Sequence, residues 1–330
     1  MNHNIIITSA GQRVALVRDF KETLVRFYAE AKVFTTDMNP ELAPAAYVSD
    51  GCFEVLRVTD ENYISQLLDI CKKNEIGMIV PTIDTELLVL AENKKLFNDN
   101  DIIVCVSDLD FIKVCRDKRN TGDFLEKHNI RVPKAVDKYN PTFPLFAKPY
   151  DGSLSTNLHY IKNAEELTQD ILDDPKLLFM EYIDKETYKE YTIDMYYGTD
   201  NCVKCIVPRE RIKIRAGEIN KGRTVKCPLM DYIKERLDKI EGCIGCICIQ
   251  VFFNPLTEDV VGIEINPRFG GGAPLSMKAR FGGGYPQSYA AGGNYPEMLI
   301  KEYFLGEKIA YIDDWKDNML MLRFDDAVYA

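Results

Sequence analysis

The residues best suited to chemistry lie between 247 and 268, where ICIQVFFNPLTEDVVGIEINPR reads as two strands joined by a polar turn. In the second strand Val261, Ile263 and Ile265 alternate with Gly262, Glu264 and Asn266, so the aliphatics take one face and Glu264 and Asn266 the other. The first strand presents Gln250 in the same way. A hairpin symmetric about Thr257 sets Gln250 across from Glu264, with Cβ atoms about 5 Å apart. Three oxygen-bearing side chains then share one patch. Oxygen donors without histidine or thiolate suit a hard cation, and a small set completed by phosphates and waters suits Mg²⁺ better than Ca²⁺. Arg268, just past Pro267, brings a guanidinium fork to the same place, where phosphate charge needs neutralising. A solvated hairpin face would carry Lys, Thr and Glu in mixed order, not Gln, Glu, Asn and Arg followed by Gly270, Gly271 and Gly272.

The elements that must position this patch follow from periodicity. NIIIT at 4–8 is a short apolar run, followed by Ser9-Ala10-Gly11 and a helical pattern through Leu16, Phe20 and Leu24. The alternation recurs with strands at 32–37, 76–81 and 102–107 and helices near 60–74 and 84–97, which predicts a parallel sheet covered by helices up to about residue 110. The glycine fingerprint of a dinucleotide site is missing, since only Gly11 follows the first strand. A helix over 110–128 and an extended stretch lead to FPLFAKPYDGSLS, a strand running into a loop of Gly, Ser and Asp. From Leu178 the pattern becomes mainly antiparallel: LFMEYI, KEYTIDMYY, NCVKCIVP, CIGCICIQVFF and DVVGIEINP read as strands, with one helix at 228–241. YPEMLIKEYFL at 295–305 reads as an amphipathic helix stopped by Gly306, and MLMLRF at 319–324 as a final strand, both serving packing. Gly282, Gly283 and Gly284 read as a turn or a surface loop.

Composition bounds the function. A chain of 330 residues exceeds what one core usually supports, so two or three packed subdomains are expected. The formal net charge of −10 argues against nucleic acid or an anionic membrane as the main partner, and any anionic ligand needs a local basic cluster. The N-terminal apolar run is too short for a signal peptide or a membrane span, so a cytoplasmic protein is expected. The 10 cysteines lie largely in apolar runs and read as reduced core thiols. Cys202 with Cys205 and Cys243 with Cys246 formally resemble two halves of a zinc site, but they sit in strand-like stretches without the Gly-rich knuckles that turn thiolates inward.

In order and spacing these pieces resemble the ATP-grasp superfamily, in particular the branch that includes carbamoyl phosphate synthetase domains, pyrrolysine-biosynthesis ligases and other carboxylate–amine ligases. The resemblance covers most of the chain. It implies a fold both α/β and α+β: a Rossmann-like parallel sheet, the pre-ATP-grasp domain, over 1–110, an ATP-grasp lid subdomain over 111–183, and a mainly antiparallel C-terminal subdomain with the metal site over 184–330. It implies ATP and Mg²⁺ as cofactors, with two ions as the expected number. Lys118 and Lys148 match the basic positions placed on ATP phosphates, and Gly152, Ser153 and Ser155 match the small-residue loop that closes over them. Glu181, Tyr182 and Ile183 resemble the hinge that receives adenine. Glu190 matches the residue that accepts ribose hydroxyls, although the DKETYK segment before it departs from the usual short turn and leaves Glu186 as an alternative. Gln250, Glu264 and Asn266 match the metal positions, and Arg268 the catalytic arginine that steadies the transferred phosphoryl group.

The implied reaction is phosphoryl transfer to a carboxylate, followed by attack of an amine on the acyl phosphate to give an amide, ADP and phosphate. Substrates are then a small-molecule carboxylate and amine, amino acids being the safest choice for at least one, and a homodimer is compatible with this reading. Arg209, Arg211 and Arg215 alternate within PRERIKIRAGEINKGRT, so one strand face could hold substrate carboxylate or phosphate, or simply face solvent. Two alternatives stand beside the ligase: a carbamate- or carboxyphosphate-forming kinase resembling half of carbamoyl phosphate synthetase, and an inactive nucleotide-binding regulator.

Overall fold

A computed structural model describes residues 2–152, 156–215, 217–281 and 295–329, with the side chains of 278–281 outside the description. Its first third is an alternation of strand and helix: β1 (Asn4–Thr8), α1 (Val14–Phe27), β2 (Val33–Asp37), β3 (Cys52–Glu54), α2 (Tyr63–Lys73), β4 (Ile76–Pro81), α3 (Asp84–Glu92), α4 (Lys94–Asn98) and β5 (Ile103–Val104). The five strands form one sheet in the order β3-β2-β1-β4-β5, every pair parallel. Strands buried on both faces are apolar at nearly every position, as in IGMIVP, which is buried throughout. Gly11 at φ +47° makes the turn out of β1, a backbone conformation that suits glycine.

The next elements are α5 (Leu109–Arg116), α6 (Lys118–Lys127), β6 (Leu145–Pro149), β7 (His159–Ile161), α7 (Gln169–Asp173) and β8 (Leu177–Glu181), with β6 flanked by β7 and β8 in a three-stranded antiparallel sheet. The remainder contains β9 (Lys189–Tyr197), β10 (Val203–Arg215), β11 (Glu218–Thr224), α8 (Leu229–Leu237), β12 (Gly245–Phe253), β13 (Val260–Asn266), α9 (Ala273–Phe281), α10 (Tyr295–Phe304) and β14 (Leu320–Leu322). Its six strands run β13-β12-β9-β10-β11-β14, each antiparallel to its neighbours. The fold is therefore the expected mixture of a parallel N-terminal sheet and antiparallel sheets beyond it. No helix among the described residues is long and apolar enough to cross a membrane.

Several boundaries differ from expectation. The helix expected over 110–128 is two, because Asp117 adopts an extended backbone and its carboxylate accepts the Arg119 N–H at 2.9 Å, capping a new helix that starts at Lys118. The helix near 84–97 breaks at Asn93, and the strand over 102–107 shrinks to Ile103–Val104. β10 joins the strand read at NCVKCIVP to the alternating arginines after it, and β3, β7 and β11 were not anticipated. α10 and β14 fall where the sequence placed them; Gly306 at φ +68° follows the helix, and β14 closes the edge of the six-stranded sheet.

Candidate active site

The hairpin of β12 and β13 pairs Gln250 with Glu264, as the turn chemistry implied. A bulge shifts the register between Gln250 and Val251, so the strict alternation expected of β13 fails at Ile263, which is half-buried and lines the same cavity as Glu264. The Asn266 amide donates to Glu264 Oε1 at 3.1 Å, leaving its own oxygen to accept from Arg268 Nη2 at 3.3 Å. Arg268 Nη2 also donates to Asp84 Oδ2 at 2.7 Å. Burial works against the Arg268 cation, but Asp84 beside it, aided by Cys248 and Glu264, more than offsets this and raises its pKa. Its Nε is buried without a hydrogen-bond partner.

Two lysines face this hairpin. Lys118 opens α6, its backbone N–H tied to Tyr150 O at 2.9 Å; its ammonium donates to Gly152 O at 2.5 Å and lies 3.9 Å from Glu264 Oε2. Lys148, on β6, is 8% exposed, and among the described residues its ammonium reaches only Ile263 O at 3.4 Å. Burial lowers its pKa to about 8, with the like charge of Lys118 adding to the effect and Glu264 opposing it. Ser153 and Ser155 lie outside the described residues.

Beyond the lysines lies the expected hinge. The Glu181 carboxylate accepts from Arg131 Nη2 at 2.6 Å and the Lys134 N–H at 2.9 Å, so it is committed to the protein. Tyr182 packs on Tyr160 with ring centroids 4.3 Å apart, and Ile183 is buried. Glu190 lines the cavity, with its Oε1 2.9 Å from Arg211 Nε in a pairing without hydrogen-bond alignment, whereas Glu186 is exposed and outside the lining.

The three arginines of β10 have different fates. Arg209 is 1% exposed and held bidentately by Asp194 at 2.7 and 2.8 Å, with Ser276 also donating to that carboxylate. Arg211 donates to Thr192 Oγ1 at 3.2 Å and Gly217 O at 2.9 Å and lines the cavity. Arg215 does not line it; it is exposed and pairs with Asp325 at 2.8 Å. Register shifts on either side of Lys213 end the alternation that would have kept all three on one face.

The opposite wall comes from residues the sequence did not single out. Arg13 follows β1 and Asp84 follows β4, at the carboxyl ends of the strands where the sheet order reverses, the usual crevice of such sheets. Glu86, fully buried, accepts from the Thr82 N–H at 2.9 Å and Ser9 Oγ at 3.0 Å, fastening the β1 and β4 loops together. Glu218, at the start of β11, is the third such residue. Arg13, Asp84, Glu218 and the hairpin line one cavity of about 510 Å³ that extends to the hinge.

A family model described as "PylC-like, N-terminal domain" matches residues 5–105, and one described as "ATP-grasp domain" matches residues 115–272. The chain belongs to the ATP-grasp superfamily. No curated protein matches it by sequence. N5-carboxyaminoimidazole synthetase from Staphylococcus aureus, solved with ADP, is similar at a TM-score of 0.70 and 16% identity over 97% of this chain and 80% of that one. The biotin carboxylase domain of Hydrogenobacter thermophilus 2-oxoglutarate carboxylase, in complex with MgADP and bicarbonate, gives 0.69 and 13% over 97% and 74%. An L-amino acid ligase from Bacillus licheniformis gives 0.66 and 15% over 92% and 74%. These likenesses show the fold.

The ATP-grasp cavity fits a magnesium nucleotide on its own chemistry. Among the described residues Lys148 is a buried cation with one long hydrogen bond, and Arg268, although paired with Asp84, keeps a buried Nε without a partner, so both have donor capacity left for an anion. Among the described residues no group of three or more His, Cys, Asp and Glu side chains could hold a metal ion. Gln250, Glu264 and Asn266 therefore offer one carboxylate and two amides, a set that a divalent cation would complete with phosphate oxygens. All 10 cysteines are free thiols, with Cys205, Cys243 and Cys246 buried. Gly270–Gly272 lie in the lining, whereas Gly282–Gly284 fall outside the described residues.

Proposed function

We propose that the protein is a magnesium- and ATP-dependent ligase that activates a small carboxylate as an acyl phosphate and joins it to an amine. The observation that carries this reading is a single cavity running from the hinge, past two lysines and the oxygen-donor hairpin, to a charged wall on the N-terminal sheet. One end suits a nucleotide and the other a small charged substrate, with Arg268 where they meet.

Tyr182 and Ile183 offer a hinge for adenine and Glu190 a carboxylate for ribose. Lys118 and Lys148 draw the phosphates, and Gln250, Glu264 and Asn266 would hold Mg²⁺, which when bound neutralises charge between the phosphates. A carboxylate oxygen forms a bond to the γ-phosphorus as the bond from phosphorus to the bridging oxygen breaks, releasing ADP. Arg268, fixed by Asp84, faces the charge on the moving phosphoryl group. The amine nitrogen then attacks the acyl carbon, phosphate leaves, and the nitrogen sheds a proton. Protein groups act mainly by alignment and by excluding water, which would hydrolyse the acyl phosphate.

The test is a screen of carboxylates with MgATP and hydroxylamine, which converts an acyl phosphate into a stable hydroxamate. Hydroxamate and ADP should form together, and Glu264→Gln should lower the rate roughly 100-fold or more with an unchanged circular dichroism spectrum. Turnover of Glu264→Gln near the wild-type rate would refute the metal assignment. ADP release with bicarbonate-like acceptors alone would point to the kinase alternative.

A further inference from the structure

The wall opposite the metal hairpin carries a charge pattern that phosphoryl transfer itself does not require. Arg13 Nη2 lies 3.8 Å from Glu218 Oε1, and the Arg13 guanidinium makes no hydrogen bond among the described residues. Its side chain is 21% exposed, so it has given up most of its water without gaining a close partner. Burial lowers its pKa and Arg268 adds to this, with Glu218 opposing, and Arg13 and Arg268 line the same cavity. Glu218 is anchored from behind, accepting from Arg323 Nη1 through Oε2 at 2.9 Å, so Oε1 is the oxygen left toward Arg13. Although burial works against its charge, Arg323, Arg13 and Arg268 keep its pKa low and its carboxylate ionised. Gly271 leaves room for this placement, because a Cβ there would run into the Glu218 carboxylate.

We propose that Arg13 and Glu218 form a recognition site for a free α-amino acid, with Arg13 and Arg268 flanking its α-carboxylate and Glu218 accepting its α-ammonium. Two opposite charges less than 4 Å apart match a zwitterion whose ammonium and carboxylate are attached to the same carbon. A simple carboxylate leaves Glu218 facing it as a like charge, and a simple amine leaves Arg13 without its anion. The carboxylate so held is the one presented to the γ-phosphate. This inference rests on the ligase reading and narrows its acid to the amino acids.

The experiment compares free amino acids with matched partners lacking the α-amino group, such as phenylalanine against 3-phenylpropionate, in the hydroxylamine assay and by calorimetry with MgADP present. Wild type should trap hydroxamate from the amino acid at least tenfold more efficiently than from its partner. Glu218→Gln should erase most of that preference and raise the KM for the amino acid tenfold or more while leaving the KM for ATP within about twofold. Arg13→Ala should raise the same KM, and Arg13→Lys should recover part of the loss. Gly271→Ala, which need only displace the flexible end of Glu218, should mimic Glu218→Gln in a folded protein. Equal use of acids with and without the α-amino group, or wild-type selectivity in Glu218→Gln, would overturn the inference while sparing the ligase reading. Absence of any hydroxamate would refute the ligase reading instead. In that case amino-acid binding lost in Glu218→Gln still supports this site, and no binding to wild type refutes it.

Discussion

Lys148 gives the site a pH signature of its own. Its folded pKa of about 8 lies below the ordinary lysine value of 10.5, because burial disfavours the cation. Between those two values the unfolded chain binds more protons than the folded one, so this group's contribution to stability rises with pH from 8 to 10.5. A bound phosphate reverses the local balance by favouring the cation. Nucleotide binding should then take up a proton above pH 8, and affinity for ADP should fall by up to about tenfold per pH unit there. Calorimetry in buffers of different ionisation enthalpy measures both quantities, and Lys148→Met should bind weakly with little dependence on pH. An unchanged slope in that variant would assign the proton to another group. The meeting of Lys148, Glu264 and Arg268 in one cavity was legible in the sequence because each stands in a motif with its neighbours. Arg13, Asp84 and Glu218 were not, since each is a lone charge on a separate segment and only the strand order of the parallel sheet and the course of β11 bring them together.

Helix α6 carries Lys118 to the site, and what fixes α6 is its seat on β13. Gly262 makes that seat: a Cβ there would stand 2.7 Å from Leu125 Cδ1 and 3.2 Å from Ile130 Cγ2, both in buried side chains that cannot swing away. The Gly262 N–H also donates to Arg131 O at 2.7 Å, closing a bridge between the two segments. Gly262→Val should therefore cost about 1–3 kcal/mol and push α6 outward, raising the Kd for ADP severalfold without altering any group that would touch the nucleotide. Gly122→Ala is the control, because nothing lies within 4 Å of its would-be Cβ; it should leave ADP affinity unchanged and stabilise the helix by about 0.5–1 kcal/mol. Equal ADP affinity in Gly262→Val and wild type would show that Lys118 does not depend on this contact. Elements with strong periodicity, β1, β4 and β9, were read to the residue, and the Gln250–Glu264 pairing followed from turn chemistry alone. The break at Asp117 and the bulge at Ile263 escaped because each is a one-residue event that leaves the hydrophobic pattern on both sides intact.

Across the whole molecule, one core joins the N-terminal sheet to the C-terminal one. Ile5, Ile7 and Met78 of the first pack in the same cluster as Tyr196 and Val207 of the second, with Phe20 of α1, Phe269 after β13, and Met298, Leu299 and Ile300 of α10 completing it. α10 rests on α1 on one side and on β12 on the other, so a helix late in the sequence serves as a layer between two sheets. The two walls of the cavity are held at a fixed spacing by this layer, and Arg268–Asp84 spans them at 2.7 Å. Such sharing predicts cooperative unfolding. Ile300 is 0% exposed, and Ile300→Ala should cost about 2–5 kcal/mol through lost burial and the cavity left behind. The protein's single tryptophan, Trp315, is 2% exposed and donates to Ile206 O at 3.0 Å, so its fluorescence reports the C-terminal sheet, whereas far-ultraviolet circular dichroism reports all the secondary structure. In wild type and in Ile300→Ala the two thermal transitions should coincide, and in the variant both should move down together. An early loss of part of the dichroism with the Trp315 transition unmoved would mean that the parallel sheet melts alone, and the shared core would then not be what holds the two walls of the site in register.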